Sequence, residues 1–162
     1  MITSAAATLA SGNMSASLLD VGPGSATYSA IAIYVGAASG NTGGATLEWR
    51  LGIYTDANGV PGTLVVDAGA LTALVVGANP LPITQTLQGR YWCVCRYVAS
   101  AAPSTAPTVH QITNGLALPG NTWTNDYRGH LATGQAAGAL PAAWPASTPN
   151  ISNVVTVGMR FV

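Results

Sequence analysis

The sequence predicts an all-β fold, a single-domain antiparallel β-sandwich that is jelly-roll-like. Apolar residues recur at every second position in several segments, and no long stretch shows the 3.6-residue spacing of a helix. The 19 glycines and 10 prolines interrupt the chain every few residues and leave no room for helices of ordinary length. At 162 residues the chain has the size of one domain, large enough to bury about 68–70% of its unfolded surface without a metal or disulfide. Strands separated by such closely spaced turns favour a sandwich or jelly roll.

Residues 1–24 read as an N-terminal arm and first short strand, and residues 25–162 as the β-sandwich domain. The first dozen residues are small and weakly patterned, as expected of an arm that orders against a neighbour. In "TYSAIAIYV" (27–35), Ile31, Ile33 and Val35 share a face. In "ATLEWRLGIYTD" (45–56), Leu47, Trp49, Leu51 and Ile53 share one face, and Glu48, Arg50 and Tyr54 the other. That is the pattern of a half-buried antiparallel strand. "GTLVVDA" (62–68), "LTALVV" (71–76) and "LPITQTL" (81–87) read as three further strands.

"RYWCVCRYVA" (90–99) alternates again, with Tyr91, Cys93, Cys95 and Tyr97 on one side. The side holding Arg90, Trp92, Val94 and Arg96 is placed outward, because an unpaired buried guanidinium is costly. Trp92 is then partly exposed or lies beneath a loop. "NVVTVGMRFV" (153–162) closes the chain as a strand with Val155, Val157, Met159 and Phe161 inward and Arg160 outward. Residues 100–152, rich in Pro, Gly, Ala, Ser and Thr, are too long for a structureless loop. They are expected to hide short strands ("TVHQIT", "TWTNDYRG") and to form a functional or assembly surface.

Composition narrows the function. Hydrophobic residues make up 49% of the chain and charged residues 6%, against about 25% charged in an ordinary soluble protein. All the basic residues are arginines, lysine is absent and net charge is zero. Little charge repulsion keeps copies apart, so partners are expected to cover much of the surface. No basic stripe is present to neutralise phosphates, which argues against nucleic acid. No apolar run approaches the roughly 20 residues of a membrane span, and the N-terminus lacks the features of a secretory signal. Neither membrane insertion nor a cofactor is expected.

Each chemically interesting side chain has a structural explanation. In "TDANGVPG", Asp56 and Asn58 are spaced like the first ligands of a calcium loop, but a third oxygen ligand and a bidentate Glu are missing. Asn58-Gly59 is instead the signature of a tight hairpin turn. Cys93 and Cys95 lie too far apart along an extended chain for a good disulfide and read as two buried thiols. His110 and His130 have no regular spacing to them, so no metal is expected. The five acids are scattered, with no pair nominated for glycoside hydrolysis. Glu48 either lies beside Arg50 on an outward face or pairs with a neighbouring strand, and Asp67 caps a turn. Both histidines read as loop residues bonded to backbone, with no nucleophile elbow. The chain is therefore not expected to be an enzyme. The candidate contact residues are Trp123, Asn125, Asp126, Tyr127, Arg128 and Trp144. Flat aromatics among planar polar groups suit a sugar face or a protein interface. The competing explanation is that the aromatics plug the ends of the sandwich.

"RLGIYTDANGVPGTLVVDAG" (50–69), then "GRYWCVCRY" (89–97), then "GALPAAWPAS" (138–147) together resemble a β-rich domain of bacteriophage tail-fibre and related virion-appendage proteins. The resemblance covers roughly residues 25–162 and rests on turn-and-strand signatures. It implies a phage structural protein, made in the host cytoplasm and displayed on the virion surface. It also implies a trimer and contacts with a tail or major capsid protein, while its motifs point to no ligand. As a binding module on the tail, the chain is expected to recognise a host-surface glycan through Trp123, Tyr127 and Trp144. In that family the domain commonly ends a longer fibre, whereas this chain starts almost at the domain. Attachment through its own surface, as a small capsid decoration (cement) protein, is the alternative expectation. Cys93 and Cys95 stand where the family would have aliphatic residues.

Overall fold

The computed structural model describes residues 4–37, 44–101, 107–112, 129–149, 154–155 and 157–161. Among these the chain is all-β. It forms β1 (Ser4–Ala7), β2 (Asn13–Ala37), β3 (Leu47–Asp56), β4 (Pro61–Leu71) and β5 (Gly77–Ala99). β6 (Thr108–Ile112), β7 (Gly129–Ala132), β8 (Thr148–Pro149), β9 (Val154–Val155) and β10 (Val157–Phe161) follow. The main path of the sheet runs β1-β6-β2-β5-β3-β4. β10 and β7 add to β2, β8 to β7, and β9 to β6, all antiparallel. The antiparallel sheet curls into a half-barrel.

Its spine is the β2–β5 ribbon, in register from Asn13↔Tyr97 to Val35↔Gly77. Glycine and proline bend these strands without ending them. Gly22-Pro23-Gly24 lies at a register shift of β2 between Asp20 and Ser25. There the Gln88 amide donates to the Pro23 carbonyl at 2.7 Å. The segments 81–87 and 90–99, separate by their pattern, are thus one strand, and the 24/25 boundary falls on the bulge inside β2. Residues 4–7 pair with β6 of the same chain, from Ser4↔Ile112 to Ala7↔Val109.

The inner face of the curl buries Ile31, Ile33 and Val35 of β2, Leu47, Trp49, Leu51 and Ile53 of β3, and Cys95 and Tyr97 of β5. These are the faces the alternation assigns to the interior. Trp49 stacks on Tyr97 with centroids 4.4 Å apart. Both cysteines are free and buried. Burial pushes the Cys93 thiol up to about 12 and raises Cys95 as well.

Three expectations are corrected. The side of β5 placed outward is buried: Arg96 is 2% exposed and Trp92 1%. With Met14, Ala16, Tyr54, Val94, Ala132 and Leu140 they line the opposite face of the sheet, where a second apolar cluster forms. The cost of a buried guanidinium is met by partners that come from a distant segment. Residues 72–76 are a loop rather than a strand. The Asn79 side chain takes the backbone bonds a strand would have made, accepting from Val75 N–H at 2.9 Å and donating to the Val75 and Gly77 carbonyls. Val75 and Val76 are left 64% and 65% exposed. Phe161 is also 64% exposed, because the register of β10 shifts between Arg160 and Phe161. It rests against Tyr28 with centroids 4.8 Å apart.

Candidate functional site

The densest set of polar and aromatic groups lies where the second cluster meets residues 138–147, here called the strap. Its floor is the face of β3 that carries Glu48, Arg50, Gly52 and Tyr54, side chains two residues apart on one side of a strand. Each contributes one fixture. Glu48 Oε1 accepts from the Gly138 N–H at 3.1 Å. Arg50 Nε donates to both oxygens of Asp67 at 2.8 Å, and Asp67 Oδ2 accepts from the Leu140 N–H at 2.9 Å. Gly52 leaves room for the Leu140 side chain. The Tyr54 hydroxyl donates to the Pro141 carbonyl at 2.7 Å.

Arg96 reinforces this row from β5. Its Nη2 donates to Glu48 Oε1 at 2.5 Å and to the Gly138 carbonyl, and its Nη1 to the Ala139 carbonyl at 3.2 Å. Among the described residues, Arg96 Nε is buried with no hydrogen-bond partner. β4 then takes over: Leu64 N–H donates to the Ala142 carbonyl at 2.9 Å, and Trp144 N–H to the Gly62 carbonyl at 2.8 Å. Residues far apart in the chain thus give the strap almost the bonding of a strand.

The hairpin of β3 and β4 is tied in at the other end. Asn58 and Gly59 have φ of 58° and 86°, and Ala57 N–H donates to the Val60 carbonyl at 2.8 Å, the two-residue turn that the Asn-Gly pair predicts. Asp56 Oδ1 accepts from Gly59 N–H at 3.1 Å and from Trp92 Nε1–H at 2.7 Å. Its other oxygen, Oδ2, faces Arg90 Nε at 4.0 Å, so the carboxylate serves the turn, the core and an ion pair. His130, 5% exposed, meets the Gly59 carbonyl through Nε2 at 3.1 Å and Ser147 Oγ through Nδ1 at 3.3 Å. A carbonyl only accepts, so the network places the proton on Nε2, and Ser147 donates to Nδ1. Ser147 in turn accepts from Trp144 Nε1–H at 2.8 Å.

The electrostatics follow from this wiring. Burial pushes Asp67 up, but the Arg50 hydrogen bond, the Leu140 and Gly69 amides and the Arg50 charge outweigh it and hold the carboxyl below its usual range. Burial and the Asp67 charge push the Tyr54 phenol up to about 12, against a smaller opposing pull from Arg96.

Of the candidate contact residues, Trp144 lies in this assembly. Its indole N–H is taken by Ser147, and its ring meets Tyr54 edge-on at 5.4 Å. Trp123, Asn125, Asp126, Tyr127 and Arg128 lie outside the described residues, as does most of "TWTNDYRG". Glu48 pairs with the neighbouring strand, as one of the sequence expectations has it. Asp67, expected to cap a turn, lies instead inside β4, where it accepts from the Gly69 N–H at 3.0 Å beside a register shift of the β3–β4 pairing. The sequence reading missed the participation of Gly52, Arg96 and Leu140. The available signal was a glycine on the same alternating face as Glu48, Arg50 and Tyr54, opposite the apolar face of Leu47, Trp49, Leu51 and Ile53.

A separate hollow of about 420 Å³ opens between residues 45–49 and 72–74. Trp49 forms part of its wall, and Thr46 and Thr72 supply side-chain hydroxyls. No acid, base or thiol is among its described lining residues. Among the described residues no three His, Cys, Asp or Glu side chains converge in a way that could hold a metal. None of the described residues forms a helix long and apolar enough to cross a membrane. No family model, curated protein or solved structure matches the chain.

Proposed function

We propose that the chain is a non-enzymatic structural protein of a phage particle, displayed on the virion surface as tail-fibre and appendage domains are. The observation that carries this reading is how the shared motifs are used. Gly52 and Tyr54 of "LGIY", Asp56 and Gly59 of "DANGVPG", Asp67 of "VVDAG", Trp92 of "YWCVCRY" and Leu140 and Trp144 of "ALPAAWP" all hold the strap and hairpin against the sheet. Their chemistry is consumed in a rigid shell, which suits a building unit better than a catalyst. The finer architecture we infer is a jelly-roll-like sandwich, supported by apolar clusters on both faces of the sheet.

In this role the chain assembles as a homo-oligomer, a trimer by the same resemblance, and attaches to a tail or capsid protein. The exposed Tyr34, Val75 and Val76 favour a second reading, decoration of the capsid lattice, because exposed apolar side chains gain most by burial in a repeated contact. Quantitative mass spectrometry of purified particles tests both. A few copies per particle support the tail reading, and on the order of hundreds support decoration, as lattice sites are many. Absence from particles overturns the proposal. A glycan array comparing wild type with Trp123→Ala tests host recognition; no binding by the wild type removes the glycan.

A further inference from the structure

We propose that the outer face of the distal β2–β5 ribbon, residues 25–37 with 75–88, is the contact surface for a second copy of this chain. The proposal rests on the reading of the chain as a self-assembling structural protein and names the surface involved. Along β5 every second residue from Ala78 to Gln88 is exposed, Ala78, Pro80, Pro82, Thr84, Thr86 and Gln88, whereas residues 92–97 are buried on both faces. Among the described residues the strap and β7 lie over the proximal half of the sheet, and the outer row of the distal ribbon stays exposed. At its end stand Tyr34, 50% exposed, and the valines at 75 and 76. Tyr34 lies opposite Ala78, and Val35 opposite Gly77, so these three apolar side chains gather at one end of the ribbon.

Two features make the surface ready to be buried. The Val75–Val76 loop is already fixed by three hydrogen bonds to the Asn79 side chain, so docking orders little that is loose. The polar groups of the face are largely satisfied within it. The Thr27 and Thr86 hydroxyls bond each other at 2.9 Å, Ser29 bonds Arg160, and Gln88 bonds the Pro23 carbonyl. Covering them strands few donors.

Charge selects the occupant. No charged residue occurs from Val21 to Leu47 or from Ala68 to Gly89, so both strands of the distal ribbon are free of charge. Arg160 of β10 lies beside it, opposite Ala30. A partner of ordinary composition, about one-quarter charged, would have to desolvate charges of both signs against a surface whose flanking groups, Arg160 and the His110 ring that meets Tyr34 edge-on at 4.6 Å, can pair with few of them. A second copy of this ribbon meets the requirement. The contact is face to face, because Pro80 and Pro82 on the free edge of β5 carry no N–H for strand addition. Among the described residues β3 pairs β5 only from Tyr91 onward.

Sedimentation velocity of the purified chain tests this, with Val76→Asp and Thr84→Asp on the surface and Val60→Asp on the distant hairpin as control. All three sites are exposed, and unchanged circular dichroism and melting of the dissociated chain verify the fold. Wild type is expected to self-associate, with an association constant that changes less than about twofold from roughly 50 to 500 mM salt. Val76→Asp and Thr84→Asp are each expected to weaken association more than about a hundredfold by burying an unpaired charge, and Val60→Asp to leave it unchanged. A monomeric wild type, or charged variants that associate like wild type, overturns the proposal. A monomer still found in particles removes this surface and leaves the structural role standing. A self-associating chain absent from particles does the reverse.

Discussion

Leu140 occupies the space that a side chain at Gly52 would need. A Cβ there would collide with Leu140 Cδ1 and stand 2.7 Å from the Val66 carbonyl oxygen. Gly52→Ala is expected to destabilise the protein by about 1–3 kcal/mol through overpacking. Adding Leu140→Ala relieves the side-chain clash but leaves the carbonyl clash, so rescue is partial. Denaturant titration of the two single variants and the double variant measures the coupling.

The Tyr54 hydroxyl anchors the Pro141 carbonyl. Tyr54→Phe is expected to cost about 1 kcal/mol by removing that donor. A phenol raised to about 12 when folded, against about 10 when unfolded, contributes stability in full below pH about 10. That stability is lost as pH rises towards the folded value. Tyr54→Phe should therefore flatten the alkaline arm of the stability–pH curve, as read by denaturant midpoints.

Asp67 behaves in the opposite sense. Its folded carboxyl titrates below its usual range, so its contribution is present above the unfolded value of about 3.9 and is lost as pH falls through the folded one. At neutral pH Asp67→Asn is expected to lose about 1–3 kcal/mol, because Arg50 and the Leu140 amide lose a charged acceptor. Between pH about 4 and the acid transition, Asp67→Asn should then show a shallower fall than wild type, followed by the same denaturant midpoints.

The two cysteines offer a probe of global opening. Buried in the sheet and held as thiols by burial, they should react with a thiol reagent at least about a thousandfold more slowly than in denaturant. Labelling as fast as that of an exposed cysteine would contradict their placement.

These residues also mark what the sequence could disclose. The "DANGVPG" turn and the inward faces of β3 and β2 were legible because local chemistry decides them: Asn58-Gly59 supplies two left-handed residues, and Trp49, Leu51 and Ile53 alternate with polar partners. The burial of Arg96 was not legible. Its acceptors at Gly138 and Ala139 come from a segment more than forty residues away, and no periodicity within β5 announces them. The "LTALVV" run misled for a related reason. Its β-propensity is high, but the Asn79 side chain takes over its backbone bonds and among the described residues no strand pairs with it. Among the site residues the aromatic Trp144 was noticed, while the glycine that seats its neighbour Leu140 was not.

The central claim is that Glu48, Gly52, Tyr54, Asp67 and Arg96 act as fixtures holding the strap to the sheet. Native-state hydrogen exchange of the Leu64, Gly138, Leu140 and Trp144 amides tests it most directly, since each donates across the strap–sheet contact. They are expected to exchange as slowly as the β3–β5 ladder amides, through global unfolding. Exchange of these four at the rate of free peptide, with the β3–β5 ladder still protected, would contradict it.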